Sequence, residues 1–164
     1  VNSLLFSLAT RVLPTLCLLN LFPLVSTGWS GEAGGYRDAA SLKGFADTLF
    51  LEGHYYPAMM EYERFCYFHP HHPEKPRAQF NHARAMKITG DYPSALAIFT
   101  ALAFDSQHGA LTIEASFERA EVLFLMEEYP SALTQYEAFL TGYPDHPLAE
   151  RARSGIKKLY QVTH

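Results

Sequence analysis

Cysteine is scarce in this chain. Only Cys17 and Cys66 occur among its 164 residues. If Cys17 leaves with an amino-terminal leader, Cys66 stands alone, which excludes an internal disulfide framework and any zinc-finger spacing. Runs of one charge are also missing. The formal net charge is -4, so neither a polyelectrolyte tail nor a nucleic-acid partner is expected. There is no glycine-rich phosphate loop, no nucleophile elbow and no helix-borne His-Glu-x-x-His pattern. Acidic pairs such as Glu127-Glu128 fall at helix ends or on wet faces. Nothing here points to an enzyme, and no cofactor is implied.

What is present begins with an apolar amino terminus. Residues 4–25 carry one charge, Arg11. The stretch from Val12 to Val25 reads as the hydrophobic region of an export signal, and Ser26-Thr27-Gly28 supplies the small residues that a signal peptidase requires. Residues 1–28 are expected to be a signal peptide cut after Gly28, with Ser30 and Ala33 as alternative points. The competing reading is an uncleaved anchor, the one route by which the chain would touch a membrane. Pro14, Asn20 and Pro23 make a poor spanning helix, and Leu16 before Cys17 argues against a lipid anchor. Residues 29–37, with Gly31, Gly34 and Gly35, read as a flexible linker.

From residue 38 the pattern is helical. Leu42, Phe45, Ala46 and Leu49 share one helical face. Asp38 stands where a cap is needed, Gly53 ends the helix, and Pro57 opens the next one, whose inner stripe is Ala58, Tyr62 and Phe65. The design recurs with Phe80, Ala83, Met86, Gly90, Pro93, Ala95, Phe99 and Leu102. It recurs again with Ala120, Leu123, Tyr129, Pro130, Ala132, Tyr136 and Phe139. Tyrosine, alanine and a second aromatic return at 55/58/62, 92/95/99 and 129/132/136, a step of 37 residues. Such self-similarity marks a repeat architecture. The expected fold is all-α, a solenoid of helical hairpins within residues 38–162. Three repeats fall at about 39–72, 76–109 and 113–146, and a C-terminal capping helix at about 148–160 covers the last of them.

These residues resemble tetratricopeptide repeats (TPRs). Ala46, Ala83 and Ala120 stand at the family's small position in the first helix. Tyr55, Tyr92 and Tyr129 stand at the turn. Ala58, Ala95 and Ala132, followed by Tyr62, Phe99 and Tyr136, stand in the second helix, and Pro70 and Pro144 mark its exit. Alanine lets two helices approach closely while the aromatics fill the space between layers. The chain departs from the family in its period of 37 rather than about 34 residues, in Glu127 at a turn-glycine position, and in Gln107 at an exit-proline position, where irregular geometry is expected. The segment Phe139 to Ala149, with Tyr143-Pro144-Asp145-His146-Pro147 at its centre, is similar to repeats of bacterial envelope proteins. These are the outer-membrane assembly lipoproteins and the periplasmic coordinator of the Tol–Pal system. The lipobox and amino-terminal coiled coil of those proteins are missing. The resemblance implies an exported scaffold, periplasmic or envelope-associated.

It also implies a protein or peptide ligand in a groove lined by the first helix of each hairpin. The positions carried over are Lys43, Asp47 and Phe50, then Arg77, Phe80, Arg84 and Lys87, then Phe117, Glu121 and Phe124. Mixed charge and aromatic surface suits a peptide with both kinds of contact. Lys43 fits one position of the family's carboxylate clamp, but Asp47 stands where asparagine is needed, so clamp recognition is not expected. The alternative function is periplasmic metal or small-ligand binding by the His-Pro loop 69–73, since His69, His71 and His72 offer imidazoles. No cysteine or carboxylate accompanies them at fixed helical spacing. Cys66 reads as an apolar packer. Partner identity and oligomeric state are not legible.

Overall fold

The structure, a computed structural model, describes residues 38–163; the stretches read as signal peptide and linker lie outside them. The Asp38 carboxylate accepts the Ser41 amide at 3.0 Å and starts α1 (Ala39–Leu51). It is followed by α2 (Tyr55–Phe68), α3 (Lys75–Thr89), α4 (Tyr92–Phe104), α5 (Ala110–Leu125), α6 (Tyr129–Gly142) and α7 (Ala149–Thr163). The described residues are thus all helix and connection, and α7 runs three residues past the expected end at 160. Around Gln107, where the exit proline is missing, the chain makes one 3-10 turn at Ser106–His108. The Asp105 carboxylate accepts the Gln107 amide there at 3.0 Å.

One turn is used three times. In each hairpin an amide reaches back across the first helix's end: His54 to the Leu49 carbonyl, Asp91 to Met86 and Glu128 to Leu123, at 2.8, 2.9 and 3.0 Å. This closure satisfies carbonyls that the helix leaves open, and it needs one residue in the left-handed conformation. Gly90 supplies it with φ of 91°. In the third hairpin Glu127 takes the same conformation with φ of 62°, against the steric preference of any residue with a Cβ. The stack imposes the turn even where the local sequence opposes it.

The hairpins pack in chain order, each helix on the next. First helices also touch along the stack, α1 to α3, α3 to α5 and α5 to α7. Second helices do not meet to the same extent, so the first helices lie on the inner side of the curve. Ala46, Ala58, Ala83, Ala95, Ala120 and Ala132 are all fully buried, as close helix approach requires. The aromatics four residues after the second-helix alanines, Tyr62, Phe99 and Tyr136, are equally buried. The expected inner residue Phe45 is instead 45% exposed. Its counterparts one and two periods on are His82 and Arg119. His82 feels Glu63 of α2, and Arg119 lies over Phe104 of α4. This position therefore faces the second helix of a preceding hairpin, and α1 has no such neighbour among the described residues.

The last helix docks through a glycine. A Cβ on Gly155 would stand 2.6 Å from the ring of the buried Tyr136. Two substitutions are expected to move stability in opposite directions. Gly155→Ala overpacks the α6–α7 contact and should cost about 1–3 kcal/mol, helix propensity notwithstanding. Glu127→Gly relieves the turn and should gain about 0.5–1 kcal/mol. Urea unfolding followed by circular dichroism measures both. A stabilising Gly155→Ala would mean that α7 does not pack as described.

Candidate functional site: the inner face of the helix stack

The inner face is assembled from rows one period apart on α1, α3, α5 and α7. The first row of interest runs Asp47, Arg84, Glu121, Lys158. Behind it, on the second helices, stand Tyr62, Phe99 and Tyr136. The two rows are matched. Tyr62 donates its hydroxyl to the Asp47 carboxylate at 2.7 Å, and Tyr136 donates to Glu121 at 2.5 Å. Burial and the adjacent carboxylate push both phenol pKa values far above normal. Phe99 has no hydroxyl to donate, and the matching position one period on from Asp47 is Arg84 rather than a carboxylate. A buried hydroxyl needs an acceptor, so the second helix dictates where the groove carries a negative charge.

Most of the expected groove residues are engaged within the protein. Asp47 also accepts from Lys43 at 2.8 Å and from Asn81 of α3 at 3.2 Å. Burial opposes ionisation of Asp47, but these bonds outweigh it and hold its carboxyl below the usual range. Lys43 further pairs with Glu74 at 3.4 Å. Arg77 grips Glu114 of α5 with two bonds, 2.9 and 3.2 Å, a bidentate geometry that is strong and directional. Lys87 pairs with Glu118 of α5, which is 9% exposed. These bonds tie α1 to α3 and α3 to α5. Phe50 packs edge-on against the turn tyrosine Tyr55 at 5.5 Å, and Phe124 packs tilted against Tyr129 at 5.9 Å.

Two expected contact residues lie mostly in the layer between helices. Phe117 is fully buried, with Phe139 5.6 Å away and the Arg151 guanidinium 4.7 Å above its ring. Phe80 is 3% exposed, edge-on to Phe99 and covered in part by Arg77. Both stand one helical turn before a small inner residue, where the ring points into the layer between helices instead of across the face. Phe80 still forms the floor of a hollow of about 350 Å³, bounded by Arg84, Glu114, Glu118, Leu148 and Arg151. A second hollow of about 250 Å³ continues past Arg151 to Lys158, beside Glu121 and Phe124.

Arg84 and Arg151, the arginines that border the first hollow, share one feature with Arg77 and Arg119. Each lies over an aromatic ring, Arg84 over Phe50 at 5.0 Å and Arg151 over Phe117 at 4.7 Å. Neither is among the ion pairs and side-chain hydrogen bonds of the described residues. Glu114, Glu118 and Arg151 belong to no recognisable motif, yet the 37-residue step connects Arg77, Glu114 and Arg151 and was the signal available for finding them.

The loop histidines have packing roles. His72 accepts the Glu74 amide on Nδ1 at 3.1 Å and sits edge-on to Phe65 at 5.3 Å. Two periods on, His146 accepts the Leu148 amide at 3.2 Å and sits edge-on to Phe139 at 5.9 Å. The middle hairpin has Leu102 and Gly109 at these positions, so histidine and phenylalanine come and go together. His69 also packs on Phe65, and His71 is exposed. Among the described residues no three His, Cys, Asp or Glu side chains gather to hold a metal ion. Cys66 packs partly buried against the first hairpin's core, and burial pushes its thiol pKa up.

No protein-family model matches the chain, and no curated protein matches it in sequence. Solved structures match it in fold. One is a Podosopora anserina protein assigned as a kinesin light chain, with nearly identical TPR-like repeats. It is 18% identical with a TM-score of 0.60 over 76% of this chain. A single-substitution form of that protein gives a TM-score of 0.61 at the same identity. This chain spans 66% of the length of each. The fold is therefore all-α and TPR-like, seven helices packed in sequence as hairpins.

The Asp47 cluster has a pH consequence. A carboxyl held below its unfolded-state pKa contributes stability above the ordinary carboxylate range, and that contribution is lost as pH falls through the lowered folded value. Wild type should lose stability on acidification below about pH 4. Asp47→Asn should be less stable at neutral pH and show a flatter acid limb. Thermal midpoints measured across that range check this, and parallel limbs would remove Asp47 from the linkage.

Proposed function

We propose that the protein is an exported scaffold whose inner face, lined by α1, α3, α5 and α7, holds a protein or peptide partner in the bacterial cell envelope. The observation that carries this reading is the inner face itself. Its helices are cross-tied by ion pairs into a pre-organised surface, and it retains a hollow bordered by two arginines that join no ion pair of the described residues. Pre-organisation reduces the ordering cost of binding, and a curved stack of hairpins offers a long surface to a chain laid along it. The fold supports a scaffold more readily than a catalyst, because the carboxylates of the face are spent on structural bonds. Export rests on the apolar segment 1–28 with its small residues, and the envelope on the Tyr143 to Pro147 pattern.

Arg77 and Lys87 are poor probes of binding, because their loss undoes the α3–α5 ties. Photo-cross-linking in cells separates the faces without that cost. A benzophenone side chain at Ser154, exposed at the groove's end, should yield a partner adduct, and one at Ala101, exposed on α4, should not. Adducts from Ala101 alone would sink the groove assignment. Mass spectrometry of the envelope fraction is expected to find a mature protein starting at Trp29. Recovery of the chain with residues 1–28 intact and in the cytosolic fraction would overturn export.

A further inference from the structure

We infer that the hollow between α3, α5 and α7 is a subsite for an acidic side chain of the partner, an aspartate or glutamate within a peptide, received by Arg84 and Arg151. The inference rests on the groove reading above and specifies what the groove selects.

The carboxylates of this face are engaged, and the two arginines that border the hollow are not. Asp47, Glu114, Glu118 and Glu121 each accept a bond from a neighbour in the chain. Arg84 and Arg151 border the same hollow of about 350 Å³ and have no carboxylate of the described residues within ion-pair distance. Their guanidinium carbons lie over the Phe50 and Phe117 rings, 5.0 and 4.7 Å from the centroids. A cation–π contact holds a guanidinium in place without using its N–H donors. A carboxylate entering between them meets oriented N–H groups and displaces no internal partner. The formal charge of -4 shows that this cationic spot is local and not a reflection of general basicity.

Internal symmetry makes Arg84 a departure. Its counterparts one period away on either side are Asp47 and Glu121, both held by buried tyrosines. The middle hairpin has Phe99 behind Arg84, which removes the demand for an acceptor and leaves the position open to a cation. The hollow's floor is Phe80 with Leu148 and Pro147 at its rim, so an apolar residue adjoining the acidic one completes the fit. Arg151 also borders the second hollow, which leads on to Lys158. The ligand chain can therefore pass through, and an internal side chain suits the site better than a chain terminus.

The test uses the full chain with labelled arginine side chains, observed by nuclear magnetic resonance. The probes are N-acetylated, C-amidated peptides of alternating Glu and Leu, the same peptides with Gln for Glu, and the Gln peptide with a free terminal carboxylate. The Glu peptide is expected to shift the Nε–H signals of Arg84 and Arg151, and its affinity should fall with added salt. Arg84→Gln should weaken it about tenfold, and Arg84→Lys less. Circular dichroism confirms that both variants are folded. If the Gln peptide binds equally well to the same residues, the carboxylate subsite is wrong and the groove reading stands. Equal binding of the free-terminus peptide would overturn the assignment to an internal side chain. Shifts confined to α2, α4 and α6 would overturn the groove reading itself. No shift from any peptide would overturn the subsite.

Discussion

A tyrosine buried up to its hydroxyl must donate to something, and in this protein the acceptor is a carboxylate on the neighbouring helix. Tyr62 and Tyr136 are buried almost completely, and their hydroxyls end on Asp47 and Glu121. Leaving either hydroxyl unpaired would cost about 1–3 kcal/mol, a large part of the stability of a small domain. The bond therefore couples two levels of the structure. It packs the second helix of a hairpin onto the first, and it fixes the sign of the charge that the first helix shows to the inner face.

The middle hairpin is released from that coupling. Phe99 replaces tyrosine, and Arg84 replaces the carboxylate. In the same hairpin Lys87 replaces the phenylalanine that packs on the turn tyrosine in the flanking hairpins, and Leu102 with Gly109 replaces the phenylalanine–histidine pair. The first and third hairpins are alike at all of these positions. What distinguishes the middle one is a set of positive side chains directed toward its neighbours. Lys87 and Arg77 are taken up by Glu118 and Glu114 of the next hairpin. The alternation thus has a structural use, since opposite signs on successive first helices attract across the stack.

Much of the architecture was legible in the sequence because it is written locally. Ala95, Tyr92 and Gly90 lie within a few residues of one another, and their copies share one spacing. The turn at Glu127 was legible only as an anomaly; its left-handed backbone follows from hairpin packing, not from the residue. The inner face was legible as a set of positions, and much less as a surface. Whether Arg77 is free or held depends on Glu114, a full repeat away on another helix. Whether Phe117 is a contact or a core residue depends on Arg151 and Phe139, which close over it from two further helices. Phe45 shows the converse. Its periodicity marks it as inward, but inwardness at that position requires a preceding hairpin.

The same pairing logic says where selectivity can reside. A ligand carboxylate approaching Arg77 or Lys87 competes with Glu114 or Glu118 and must replace bonds that hold helices together. Any energy gained there is offset by what the α3–α5 tie loses. Approach to Arg84 or Arg151, which lie over Phe50 and Phe117, breaks no ion pair of the described residues. The net gain of a charge-assisted bond is larger where no internal bond is given up. Cations that build the stack are poor discriminators for this reason. Of the two arginines, Arg84 stands where a buried tyrosine would otherwise call for a carboxylate, which returns part of the question of specificity to the single change from tyrosine to Phe99.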